Sequence, residues 1–124
     1  MLQTLWVPGP LPGLNEIIAA KGESWGRGYS KWNEMKRLWH GRIAGVAKQQ
    51  KIQFIESAVF HYTFVEPNRR RDPSNVMAGA IKIIEDGLQQ AGLLAGDGWK
   101  NILGIVPRWE CDALAAGVRV RMES

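Results

Sequence analysis

The residues in this sequence best suited to chemistry are two aspartates among basic residues and glycines. Asp72 ends the run Arg69-Arg70-Arg71-Asp72 within "EPNRRRDPSN", residues 66–75, and Asp97 stands between Gly96 and Gly98 in "AGLLAGDGWKNI", residues 91–102. Carboxylates beside arginines suit phosphodiester cleavage. A hard cation polarises the phosphate and activates a water. Mg²⁺ takes oxygen ligands and keeps several waters, so one or two carboxylates plus a phosphate oxygen are enough to hold it. Arginines bind the phosphate backbone and offset developing charge. On that reading Arg69, Arg70 and Arg71 bring a phosphate to Asp72. Each acid also has a plain structural reading. Aspartate followed by proline starts a helix, because the carboxylate accepts from first-turn amides and proline suits the first helical position. Asp97-Gly98 is a common turn pair. The arginines can equally pair with Glu66, Asp72 and solvent. The residues by themselves leave these alternatives open.

Elements must position those acids, and their periodicities are readable. "LQTLWV" (2–7) reads as a strand stopped by "PGPLPG". Residues 21–30 carry three glycines without periodicity and read as a loop. Residues 31–50 read as a helix, with Trp32, Met35, Trp39, Ile43 and Val46 in one apolar stripe and Ser30 as its cap. Lys31, Lys36, Arg37, Arg42 and Lys48 lie off that stripe, so the outer surface of this helix is basic. From about Ile52 to Val65 the β-branched and aromatic content rises, and Phe60, Tyr62 and Phe64 alternate with His61 and Thr63, a strand signal. A second helix runs from Pro73 to about Ala91, with Gly92 to close it. Residues 102–109 and 117–122 read as two final strands. The expected order is β-α-β-α-β-β: an α+β domain with a small mixed sheet of about four strands and two helices packed on one face.

The second helix has two faces. Met77, Ala80, Ile84, Leu88 and Ala91 share one, flanked by Val76, Ile81 and Ile83. Asn75, Gly79, Lys82 and Asp86 form a narrow stripe opposite. A glycine in a mid-helix costs about 1 kcal/mol against alanine, so its presence there points to a close approach to the backbone.

Composition bounds the reading. At 124 residues one domain spanning 1–124 is expected, long enough for a core without staples. Hydrophobic residues at 45% and charged residues at 23% place the chain among globular proteins rather than disordered ones. No apolar run approaches the roughly 20 residues of a membrane span, and "MLQTLWVPGP" lacks the basic flank of a secretory signal. Cys111 is the single cysteine, which excludes an intrachain disulfide and a cysteine-based zinc site and fits a reducing cytoplasm. The net charge of +4 is a mild bias towards polyanions.

The run "RRRDPSN", a helix carrying "KIIEDGLQQAG", and "LLAGDGWKNI" together resemble the RusA family of Holliday junction resolvases. "LPGLNE" is similar to that family's N-terminal Pro-x-x-Asn signature, with Pro12 and Asn15 in matching places, and "GVRVRM" is similar to its final strand. The resemblance is densest from Arg69 to Ile102. It implies a small homodimeric, Mg²⁺-dependent endonuclease acting on four-way DNA junctions. Asp72 matches the first acid of the family's Asp-x-Asp-Asn motif, Asn75 its asparagine, Asp97 the third acid, and Lys82 the helix lysine that Asp86 follows four residues later. The implied catalytic residues are Asp72, Asp97 and Lys82, with Mg²⁺ on Asp72, Asp97 and Ser74. The implied DNA contacts are Arg69, Arg70, Arg71, Asn75, Asn15, Lys31 and Lys100. Trp25 and Trp99, each beside a glycine, are the tryptophans suited to stack on an unpaired base.

The sequence departs from the pattern twice. Ser74 stands where the second aspartate belongs and brings no charge to a metal. About four extra residues separate Asp72 from Lys82, which puts Lys82 roughly 15 Å along the helix at about 1.5 Å per residue. Ser74 motivates a second expectation, a protein that binds branched DNA with weak or no cleavage.

Overall fold

A computed structural model of the chain describes residues 1–23 and 30–124. Trp25 and most of the expected 21–30 loop lie outside the described residues. Seven elements follow in the order β1 (Leu2–Pro8), α1 (Leu14–Lys21), α2 (Lys31–Gln49), β2 (Ala58–Glu66), α3 (Pro73–Gln90), β3 (Ile102–Cys111) and β4 (Gly117–Glu123). The α+β class and the four-stranded mixed sheet agree with the periodicities. The helix count does not: there are three, because residues 14–21 form a helix that the sequence reading left unassigned.

The sheet order is β1-β4-β2-β3. β4 is antiparallel to both β1 and β2, while β2 and β3 are parallel. The parallel pair is joined through α3, so α3 runs back along the sheet from the C-terminal end of β2 to the N-terminal end of β3. Alternation along the strands decides the faces. Phe60, Tyr62 and Phe64 of β2, Val118, Val120 and Met122 of β4, and Leu5 and Val7 of β1 are buried under the helices. The β2 rings stack in sequence at 6.0 and 5.5 Å, and Trp109 of β3 continues the row at 5.8 Å from Phe64. Among the described residues, no helix packs on the opposite face of the sheet.

α2 buries Trp32, Trp39, Ile43 and Ala47, with Ser30 Oγ accepting from Asn33 N at 3.0 Å as its cap. α2 ends by chemistry absent from the usual glycine signal: Lys51 takes a left-handed φ of 59°, and Ile52 N reaches back to Ala47 O at 2.9 Å. The chain then runs past the outer edge of β1. The Gln50 side chain bonds both Trp6 N and Trp6 O at 2.8 Å, closing an edge that would otherwise present unpaired amides. β2 therefore begins only at Ala58, later than the apolar run from Ile52 suggests. Residues before it make an isolated bridge, Ile55 to Leu94.

α3 is enclosed on more than one side, and its glycines show why. A Cβ on Gly79 would overlap the carbonyl oxygen of Pro12 and the backbone of Gly13. One on Gly87 would lie 2.8 Å from Ile43 of α2. The close approach implied by a mid-helix glycine is thus made by the chain's own Pro12–Gly13 turn. That turn leads into α1, whose first residue is preceded by Gly13, which has no side chain to cap it. The missing acceptor comes from α3: Asn75 Oδ1 accepts from Asn15 N at 2.7 Å. Asn75 and Gly79, neighbours on one stripe of α3, together seat α1.

Candidate functional site

The polar stripe of α3 and the two loops at its ends hold most of the residues that the sequence singles out. At its N-terminus, Asp72 occupies the cap position, and its carbonyl accepts from Val76 N at 3.1 Å, but its carboxylate makes no capping hydrogen bond. The side chain faces a cleft of about 350 Å³ lined by Arg69, Asp72, Val76, Trp109, Glu110 and others. Trp109 closes this end by donating Nε1 to Pro73 O at 3.0 Å. Ser74 is exposed in the first turn beside it.

The three arginines have different fates. Arg71 does not face outward to a phosphate. Its Nε and Nη2 donate to both oxygens of Glu66 at 2.8 Å, and its Nη1 donates to Leu11 O at 2.8 Å and Glu16 Oε1 at 3.0 Å. Glu66 is buried, so the pair locks the end of β2 to the turn before α1 and uses the whole face of the guanidinium fork. The expected phosphate contact of Arg71 is therefore replaced by a structural clamp. Arg69 and Arg70 are exposed, and the Arg70 backbone is held by an Asn68 turn at 3.0 Å. Asn75, likewise expected on DNA, spends its carbonyl oxygen on α1. Asn15 contributes its backbone to that bond and leaves its side chain exposed. Lys31 pairs with Glu23 at 3.6 Å at the start of α2.

A second group lies further along α3. Lys82 Nζ stands 3.4 Å from Asp86 Oδ2, one turn on. Glu85 is buried, and Tyr62 donates its hydroxyl to Glu85 Oε2 at 3.4 Å. Burial first, then the nearby charges of Asp97 and Asp86, push the Glu85 carboxyl up to about 7. His40 of α2 belongs to the same group: burial lowers its pKa, the Lys36 and Lys82 charges lower it further, and Asp86 opposes them. Its Nε2 is buried without a hydrogen-bond partner among the described residues. Asp97 sits in an exposed turn whose geometry is set by buried Asn101, which donates Nδ2 to Glu56 O at 2.8 Å and its backbone amide to Gly98 O at 3.0 Å. Trp99 is 97% exposed, and Lys100 beside it is exposed.

Lys82, Asp86 and Asp97 are thus brought into one electrostatic neighbourhood, while Asp72 and Ser74 stand apart from it. Asp97 acts on Glu85, which is thirteen residues beyond Asp72, or about 20 Å along the helix at ~1.5 Å per residue. The set Asp72, Ser74 and Asp97 does not converge on one ion within a chain. Among the described residues, no three His, Cys, Asp or Glu side chains form a preassembled metal cage.

Two features of this site escaped the sequence reading. Glu85 has a visible signal, a carboxyl between Ile84 and Leu88 on the buried side of α3. His40 has none, because only the packing of α2 on α3 brings it to Asp86. No protein-family model matches this chain, and no curated protein matches it significantly.

Proposed function

We propose that the chain is a Mg²⁺-dependent, structure-specific endodeoxyribonuclease that resolves four-way DNA junctions by phosphodiester hydrolysis, working as a homodimer. The observation that carries this reading is the placement of Asp97 and Asp86 near Glu85 and Lys82, where burial first and these two carboxylate charges second raise Glu85 to about 7. Such crowding is unfavourable unless a cation or a proton relieves it. Asp97 and Asp86 are the residues that would hold Mg²⁺, with waters completing its shell; the ion would polarise a phosphate and acidify a bound water. Lys82 holds positive charge beside the same acids. Arg69 and Arg70, with Lys100 at the other end of α3, bind backbone phosphates on either side. Asp72 then lies with the DNA-contacting end rather than with the ion. The resemblance to RusA-type resolvases supports the substrate class. The homodimer draws support from β3, an edge strand with Leu103, Ile105, Val106 and Trp109 exposed by 41–58%. Among the described residues no helix is long and apolar enough to cross a membrane.

A second reading, a protein that binds branched DNA without cutting it, is favoured by Ser74 and by the distance between Asp72 and the Asp97 group. A labelled synthetic four-way junction and a matched linear duplex, each incubated with Mg²⁺, separate the two. Cutting of the junction alone, lost in Asp97→Asn, supports the nuclease. A retarded but intact junction moves the second reading to first place. Loss of cutting in Asp72→Asn to the same extent as in Asp97→Asn would show that the ion needs both ends of the helix.

A further inference from the structure

The helix-free face of the sheet carries an arginine cluster that nothing above uses. In register across the strands, one row reads Trp6, Arg119, Thr63, Arg108, and the next reads Thr4, Arg121, His61, Val106. These two central rows hold three arginines and no acid. The acids of this face stand at its ends, Glu123 in the row beyond His61 and Glu110 in the row beyond Thr63. His61 Nε2 lies 3.9 Å from Glu123, and the Arg119 guanidinium lies 5.8 Å from the Trp6 ring centre. Arg108 and Arg121 have no ion-pair or hydrogen-bond partner among the described residues. Around them is a depression of about 320 Å³ whose lining includes His61, Arg108, Arg119 and Arg121, with Glu110 at its edge. Three arginines against the single carboxylate of Glu110 in this depression leave a net positive potential that suits an anionic partner.

We infer that this open sheet face is a second DNA-binding surface, gripping the phosphodiester backbone through Arg108, Arg119 and Arg121. The inference rests on the DNA-binding half of the reading above and not on cleavage. The residue spacing suits a chain of charges rather than a single small anion. Arg119 and Arg121 are two residues apart on one strand, about 7 Å at ~3.4 Å per residue, and Arg108 lies two strands from Arg119, about 10 Å at ~4.8 Å per strand. Beyond Trp6 the two central rows offer little aromatic surface, so contacts go to the backbone and not to base edges. A second copy of this chain is the less suitable occupant. A two-fold axis through the patch sets Arg119 and Arg121 against their own copies, and the central rows have no acids to offset them. This surface lies on the side of the sheet away from α3, so a branched DNA held along α3 has further arms that can reach it.

The test is the salt dependence of binding to a labelled four-way junction, a linear duplex and a single strand of the same sequence. It is run for the wild type, Arg108→Ala/Arg121→Ala and Arg108→Lys/Arg121→Lys, each with its fold checked by circular dichroism. All these side chains are exposed, and Arg108→Gln/Arg121→Gln serves if the alanine pair misfolds. The expected result is a fall of about two units in the slope of log affinity against log salt for the alanine pair, recovered by the lysine pair. An unchanged slope on all three DNAs overturns the inference, as does a wild type that binds none of them. If light scattering shows a dimer lost in the alanine pair while the slope is unchanged, the face is an interface between copies and the inference is again overturned. Junction cutting is followed in parallel at saturating protein. An uncut junction with a reduced slope removes the nuclease reading alone, and normal cutting with an unchanged slope removes the sheet-face inference alone.

Discussion

Replacing Glu85 by glutamine isolates a single buried ionisation. Glutamine keeps the shape of the side chain and an oxygen for the Tyr62 hydroxyl, and removes only the charge. A folded-state pKa raised from 4.5 to about 7 corresponds, at ~1.36 kcal/mol per unit, to about 3 kcal/mol. The sign follows from proton binding. Between 4.5 and about 7 the folded protein keeps a proton on Glu85 that the unfolded chain has released. Stability from this group is therefore complete below 4.5, falls as pH rises through the folded value, and is gone above it. Urea denaturation at a series of pH values reads the difference between the two proteins. The variant should match the wild type near pH 4.5 and exceed it above pH 7 by an amount approaching about 3 kcal/mol. Because Asp97 and Asp86 contribute to the shift, Mg²⁺ added above pH 7 should stabilise the wild type more than Glu85→Gln. A stability difference that stays constant across the range would refute the claim that Glu85 ionises against its neighbours. No differential effect of Mg²⁺ would remove the ion from this end of α3.

The glycines of the helices give a paired test: Gly79→Ala should destabilise by about 1–3 kcal/mol or more, since the new methyl meets the backbone of Pro12 and Gly13. Gly45→Ala in α2, where a Cβ meets nothing within 4 Å, should stabilise by about 0.5–1 kcal/mol, both read by thermal or urea unfolding. Arg71→Lys should cost about 2–4 kcal/mol, because an ammonium cannot reproduce the two parallel bonds to buried Glu66. Arg70→Ala should leave stability unchanged and lower the salt slope of junction binding by about one unit; the reverse pattern would exchange their roles. Ser74→Asp should leave the Mg²⁺ dependence of cleavage unchanged if the ion sits with Asp97, and a lower Mg²⁺ requirement would return it to the Asp72 end.

What the sequence reveals and what it hides divide along physical lines. The four strands and the helices α2 and α3 are carried by local period and local caps, and Ser30 caps α2 from within its own segment. α1 is two turns long, and the bond that caps its N-terminus comes from Asn75, sixty residues away, so no window around residues 14–21 contains the signal. Gly79 is legible as an anomaly in a helix, but its reason, the Pro12–Gly13 turn, is equally distant. Arg69, Arg70 and Arg71 are indistinguishable by type and position in a run. Only the fold selects Arg71, by placing Glu66, Leu11 and Glu16 around the same guanidinium.

The separation of Asp72 from Asp97 is the instructive case, because chain length permits their meeting. Seven residues follow α3 up to Asp97, and fully extended they span about 23–25 Å at ~3.3–3.6 Å each, enough to run back to the start of an 18-residue helix less its last turns. The segment is not free to do so. Ile55 N donates to Leu93 O at 2.8 Å and Ala95 N donates to Ile55 O at 3.0 Å, so the return path is fastened beside the segment that leads into β2. Asn101 fastens its other side to Glu56. Only the Gly96–Trp99 turn projects between these two anchors, and it projects beside Glu85. The first anchor is made of backbone bonds and the second of the Asn101 side chain, each to residues some forty positions earlier, with no local pattern that announces them. Two acids that sequence alone can join through one metal ion are thus held at different levels of the same helix.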